Sequence, residues 1–198
     1  MFITFEGVDG SGKSTQVRLL AELLRAEGRS VLETREPGGT ELGERVRELI
    51  LAGGSLAPWA EALLFAAARA QLVDEVIRPA LARGEHVLSA RYIDSSLAYQ
   101  GLARGLGVER VLEVNLAATG HLLPDRTFLI QVPLEQAARQ RGDDPDRIER
   151  EGDDFVERVD SAYRDLAGIF AQRIVTVDGS KPASEVAKLI RGHLRDLS

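Results

Sequence analysis

The 198-residue chain contains no cysteine, which excludes a disulfide scaffold, a thiolate zinc site and a cysteine nucleophile. Histidine is scarce. His86, His121 and His193 lie far apart without ligand spacing, so a histidine metal centre is not expected. No apolar run approaches the ~20 residues that a membrane span requires. The most apolar stretch, Ala57 to Leu72, is interrupted by Glu61 and Arg69. No basic segment followed by an apolar one and a cleavage site opens the chain, so a cytoplasmic location is expected. Lysine occurs only at Lys13, Lys181 and Lys188, 22 of the 25 basic residues being arginine. Against such a bias, a lysine inside a motif is informative. The net charge of −6 argues against general nucleic-acid binding. It leaves room for a small anion, because local positive charge can oppose the net sign.

What is present suits one soluble domain of 1–198, with one mobile insert at about 142–154. A chain of this length can bury roughly 70 % of its unfolded surface without staples. Short apolar runs rich in β-formers occur at Phe2 to Glu6, Ser30 to Thr34, His86 to Ser89, Arg126 to Val132 and Ile174 to Val177. Helical spacing occupies the intervals: Ser14 to Ala26, Leu42 to Ala52, a long helix from Pro58 to Ala82, Asp94 to Gln100, Val108 to Thr119, Leu134 to Arg141, Phe155 to Ala171 and Ala183 to Leu194. Strands alternating with helices predict an α/β fold, a five-stranded parallel sheet covered on both faces.

The first strand runs into Gly7-Val8-Asp9-Gly10-Ser11-Gly12-Lys13-Ser14, which fits G-x-x-x-x-G-K-[ST] with a strand before and a helix after. Glycines let backbone N–H groups turn inward around a phosphate. The helix start favours an anion, Lys13 reaches the outer phosphates, and the Ser14 hydroxyl is a ligand for Mg²⁺. Gly7, Val8, Asp9, Gly10, Ser11, Gly12, Lys13, Ser14 and Thr15 are thus the expected contacts of a bound ATP, and the fold is expected to be that of the P-loop NTPases. Asp9 must point away from the phosphates, toward a sugar hydroxyl or a metal-bound water. It joins Ser14 as a candidate metal residue. The loop has no arginine, so charge to compensate a transferring phosphoryl group must come from elsewhere.

Further segments point one way: Thr34-Arg35-Glu36-Pro37-Gly38-Gly39-Thr40, Leu64-Phe65-Ala66-Ala67-Ala68-Arg69, Arg91-Tyr92-Ile93-Asp94-Ser95-Ser96-Leu97-Ala98-Tyr99-Gln100-Gly101 and Asp146-Arg147-Ile148-Glu149. In this order, together with the P-loop and Asp9, they resemble the thymidylate kinases over essentially the whole chain. The resemblance implies transfer of the ATP γ-phosphoryl group to dTMP in dTTP biosynthesis, with Mg²⁺, in a homodimer. It implies that Phe65 stacks on thymine and Arg69 bonds its O4. Ser96 and Gln100 would border the base, and Tyr99 would pack near C2′. Arg35 and a cis Glu36-Pro37 bond would line the same pocket. Arg91, at the carboxyl end of the third strand where ligands collect, would grip the acceptor phosphate. Arg139, Arg141, Arg147 and Arg150 surround the charged insert, which matches the family's lid. Arg147 and then Arg141 are the candidate catalytic arginines. Loop Asp178 to Pro182 falls at the adenine.

The pattern departs from the family at Ala90, where aspartate is usual, and at Ala68. Other readings remain open beside the main one. They are a kinase for another deoxynucleotide, or a nucleotide-binding protein weakened by Ala90. A GTPase switch lacks its Asn-Lys-x-Asp signature.

Overall fold

The computed structural model describes residues 1–52, 54–140 and 146–194. Five strands, β1 (Phe2–Glu6), β2 (Val31–Arg35), β3 (His86–Ala90), β4 (Arg126–Gln131) and β5 (Ile174–Asp178), form one sheet in the order β2-β3-β1-β4-β5. Every pairing is parallel, with Phe5 opposite Ala90 and Phe128. β1 is central and its neighbours are reached by opposite crossovers. Its carboxyl end is therefore the point where ligands enter such a sheet.

Helices cover both faces, as expected. β1 alternates: Ile3 and Phe5 pack under α1 (Lys13–Ala26) and α9 (Ala183–Gly192), with Val17, Leu20, Phe128, Val186 and Ile190. Phe2 faces the other way, into a larger core with Ile50, Leu72, Tyr92, Leu97 and Leu166. That core lies beneath α2 (Glu41–Ala52), α3 (Pro58–Leu72), α6 (Val108–Thr119) and α8 (Asp153–Ile169). On this second face β1 also carries Thr4 and Glu6, both buried. Thr4 shares a hydrogen bond of 2.7 Å with Thr127, which reaches Asp94, and Arg173 grips Asp94 at 2.6 and 2.7 Å. A polar spine therefore runs through the apolar layer, each charge paired as burial demands.

Two expected helices are not continuous. The span read as Pro58 to Ala82 divides into α3, a π-type turn (Val73–Ile77) and α4 (Arg78–Ala82). The wide turn immediately precedes Pro79, which has no N–H to give a regular ladder. The span read as Asp94 to Gln100 is a short α5 (Ile93–Ser96) continued by a π-type turn (Leu97–Ala103). α7 (Leu134–Gln140) follows β4. Of the insert, Asp146 onward is described, and it folds back through a single 3-10 turn (Glu149–Glu151) into α8. Arg141 and residues 142–145 lie outside the described residues.

Candidate active site

Between β1 and α1 the chain makes a tight cradle. A Cβ at Gly7 would stand 2.5 Å from the Ile130 carbonyl, and one at Gly10 would stand 2.1 Å from that of Ala137. With φ of +136° and +82°, both positions admit only glycine. Gly12, at φ 90°, begins α1 without a side-chain cap, so its first amides are available to an anion. The Ser11 hydroxyl is buried with no partner among the described residues. An orphaned hydroxyl beside free amides fits a phosphate.

Lys13 curls over this cradle. Its Nζ donates to the Gly7 carbonyl at 3.0 Å and the Val8 carbonyl at 2.8 Å, and stands 3.6 Å from Asp9. Burial, aided by Arg91, lowers its pKa to about 8. Ser14 is exposed and opens, with Ala90 and Thr34, onto a broad cavity. Ala90 contributes no donor atom there. An exposed hydroxyl is the kind of oxygen donor Mg²⁺ takes, the ion keeping waters and substrate phosphates for most of its ligands; the Asp9 carboxylate lines the cleft on the other side of Lys13. On the far side of the cradle a second cavity is lined by Ser11, Gly12, Thr15, Gln136, Gly179 and Lys181. The loop that the resemblance sets at the adenine borders this cavity through Gly179 and Lys181.

Facing the cradle is a cleft with about 520 Å³ of free space, part of it open to solvent. Its wall includes Asp9, Pro37, Phe65, Arg91, Ser96, Tyr99 and Gln100. The structure thus brings together most of the residues singled out in the sequence. The widened turn after α5 contributes to this. The Arg104 amide bonds back to the Tyr99 carbonyl at 2.9 Å, five residues away, and Tyr99 and Gln100 both face the cleft. The Glu36–Pro37 bond is cis, as expected.

Arg91 joins cleft and cradle. Its backbone is left-handed, φ 72°, which is strained for a residue with a Cβ. Its guanidinium donates to Asp9 at 2.7 Å, Ser95 and Tyr163 at 3.0 Å, and Tyr99 at 3.2 Å. Burial alone would ease its proton off. Asp9, the two tyrosines and Glu6 outweigh that and raise its pKa well above the ordinary value. Asp9 pairs with Arg91, the cation within its reach.

Two more residues lie away from the cleft wall. Arg69 does not line the cleft. It is 1 % exposed and bonds Glu36 at 2.8 Å, Ser96 at 3.0 Å and the Tyr92 carbonyl at 2.9 Å, as well as Asn115. On the buried face of α3 a guanidinium must find partners inside the protein. Arg35 also stays outside. It is exposed and held by Glu44 of α2 at 3.0 Å, and Arg47 takes the place in the wall. Arg47 was missed because nothing in its surroundings in the sequence marks it.

Arg147 is not brought to the cradle. It donates to the Ile50 carbonyl at 2.7 Å and to Glu61 at 2.5 Å, pinning the end of the insert against α2 and α3. Glu6 was missed too. It accepts from the Tyr92 amide at 2.7 Å, Ser95 at 2.6 Å and Tyr163 at 2.9 Å. Burial, and then Asp94, raise its pKa to about 7.

A glycine cradle at the switch point of a parallel sheet, with a lysine over it and a buried arginine in the cleft opposite, is the arrangement of a P-loop kinase. The comparisons with known proteins narrow that class. The thymidylate kinase family model matches residues 5–190. The chain is 50 % identical over 201 residues to a thymidylate kinase of Desulforudis audaxviator, covering all of this chain and 91 % of that one. It is 46 % identical to one of Bifidobacterium longum, covering all of this chain and 98 % of that one. The crystal structure of thymidylate kinase from Ehrlichia chaffeensis superposes with a TM-score of 0.83 at 33 % identity, over 98 % of both chains. The chain belongs to the thymidylate kinase family, and its activity is the phosphorylation of dTMP to dTDP.

Proposed function

We propose that dTMP occupies the cleft with its base against Phe65 and its phosphate at Arg91, opposite an ATP whose phosphates lie in the Gly7–Thr15 cradle. The observation that carries this reading is Arg91. It reaches from the cleft wall to Asp9 of the cradle, so one guanidinium can hold the acceptor phosphate at the edge of the donor site. A flat apolar ring and a few polar groups above that charge suit a nucleotide. Tyr99 beside Arg91 fills space that a ribose 2′-hydroxyl would need.

The reaction is an in-line displacement. An oxygen of the dTMP phosphate bonds to the γ-phosphorus, the bond from that phosphorus to the β–γ bridging oxygen breaks, and ADP leaves with the electron pair. Little covalent work falls to the protein, so positioning and charge neutralisation carry the rate. Arg91 fixes and partly neutralises the acceptor, trading its bond to Asp9 for the incoming phosphate. The freed Asp9 carboxylate and the Ser14 hydroxyl would hold Mg²⁺. When bound, the metal neutralises charge on the β and γ phosphates. Lys13 leaves the Gly7 and Val8 carbonyls for the outer phosphates.

Arg147, the first candidate for the arginine that meets the transferring phosphoryl group, is held by the Ile50 carbonyl and Glu61. Its engagement with Glu61 leaves that part to Arg141. A homodimer and a cytoplasmic location belong to the same proposal. Leu63 is exposed on α3, a surface open to a second copy. Among the described residues no helix is long and apolar enough to cross a membrane. Steady-state kinetics of Phe65→Ala test the docking. KM for dTMP should rise at least about tenfold, the loss of a stacked ring, with KM for ATP unchanged. An unchanged KM for dTMP would place the base elsewhere.

A further inference from the structure

Glu61, in the first turns of α3, is buried behind the cleft, 1 % exposed. Its Oε1 accepts from Gln100 Nε2 at 2.9 Å and Arg104 Nε at 2.6 Å. Its Oε2 accepts from a second Arg104 nitrogen at 2.9 Å and from Arg147 at 2.5 Å. Gln100 borders the cleft, and Glu61 stands behind it. Four donor atoms thus converge on one carboxylate from two segments that are distant from it in sequence.

The two ends of a glutamine amide differ only in what they bond: one donates and the other accepts. An ionised carboxylate can only accept. Burial alone would push Glu61 toward its neutral form, but the hydrogen bonds of Arg104, Arg147 and Gln100 hold its pKa below the ordinary value. The Gln100 NH₂ end is therefore committed to Glu61. The carbonyl Oε1 is the acceptor end left for the cleft, beside the second N–H of the same amide. We propose that Glu61 sets the base selectivity of this enzyme by fixing the Gln100 amide with its acceptor toward the nucleobase, so that pyrimidines bearing a hydrogen on N3 are chosen. This rests on the reading that places the base against Gln100.

Thymine and uracil carry that hydrogen, whereas cytosine has a lone pair on N3. Cytosine would set acceptor against acceptor, and an unmatched polar group is costly. Ser96 complements this choice. Its hydroxyl accepts from Arg69 at 3.0 Å, so its own proton is free for a carbonyl such as O4. Glu61 touches no substrate. It is a positioning residue that acts through Gln100.

The test compares kcat/KM for dTMP, N3-methyl-dTMP and dCMP in the unmodified enzyme, Glu61→Gln, Gln100→Met and the double variant. In Glu61→Gln the new side chain's oxygen is drawn to the two arginine nitrogens at the Oε2 end, and its NH₂ faces Arg104 Nε, which loses its acceptor, and Gln100, which then reverses. The dTMP-to-dCMP ratio should fall by about tenfold or more, and the penalty for N3-methylation should shrink with it. A merely structural role would lower both substrates alike and leave the ratio where it was, which would overturn the proposal. In the Gln100→Met background, adding Glu61→Gln should leave the ratio unchanged. A further drop there would show that Glu61 acts by another route. If the unmodified enzyme takes N3-methyl-dTMP as readily as dTMP, the base does not meet Gln100, and the underlying docking fails with the proposal. Should Glu61→Gln not fold, the side-chain amide protons of Gln100 in the unmodified enzyme decide. They should stay slow to exchange and unshifted when dTMP binds. A large shift on binding would mean that the amide itself donates to the base.

Discussion

Replacing Glu6 by glutamine keeps the shape and removes the charge, and its effect on stability should depend on pH in a calculable way. Glu6 is 1 % exposed. It faces Asp94 and Arg91, the hydroxyls of Ser95 and Tyr163, and the Tyr92 amide, with Arg173 beyond Asp94. Burial and Asp94 raise its pKa from 4.5 to about 7. Between those values the native state holds a proton that the unfolded chain has lost, so stability falls as pH rises. The contribution is present in full below pH 4.5 and is gone once pH has passed through about 7. At about 1.4 kcal/mol for each tenfold change in proton affinity, the gap is worth about 3 kcal/mol. For a domain of this size that is about 6–12 °C in Tm. Calorimetric scans of both proteins from pH 5 to 8.5 would measure it, because other titrating groups cancel in the difference. The unmodified protein should lose most of that Tm relative to Glu6→Gln as pH rises across this window. Two curves that stay parallel would refute the assignment of this ionisation to Glu6.

Three further outcomes follow from the same geometry. Arg91→Lys loses the planar fork that reaches Asp9, Ser95, Tyr99 and Tyr163 together, so kcat/KM for dTMP should fall about 10²-fold or more; a change under threefold would show that a point charge suffices. Ala90→Asp puts a carboxylate into the cavity beside Ser14 and should raise kcat at fixed Mg²⁺; an unchanged or lower kcat would show that this position is not limiting. Gly10→Ala drives a methyl to 2.1 Å from the Ala137 carbonyl at a φ of +82°, and titration calorimetry should find ATP binding abolished, with Tm lowered. Retained ATP affinity would mean that the cradle is looser than drawn.

The sheet was readable in the sequence because its inner strands β1, β3 and β4 are short apolar runs buried on both faces, and the P-loop because its glycines answer a local backbone demand. The cleft was readable only through the resemblance, and even then in part. Arg69 and Arg35 were assigned to it because sequence shows which residues neighbour one another along a helix or strand. It does not show which partner captures a guanidinium first. Glu36 and Ser96 hold Arg69 inside the protein, and Glu44 holds Arg35 outside. Glu6 and Glu61 escaped notice for a related reason. Glu6 meets Tyr163 across 157 residues and Glu61 meets Arg147 across 86. Nothing in a local window separates such buried carboxylates from the solvated ones around them. The breaks in the long helices follow from packing and from Pro79, and periodicity alone ran through them.

The most direct measurement is a crystal structure of the protein with dTMP and a non-hydrolysable ATP analogue. The nucleotide phosphate should lie within hydrogen-bonding distance of Arg91, its ring over Phe65 with N3 toward Gln100, and the analogue's phosphates should lie around Gly7 to Thr15. Finding dTMP beside Lys181 and Gly179, with Phe65 and Arg91 untouched, would contradict the account at its root.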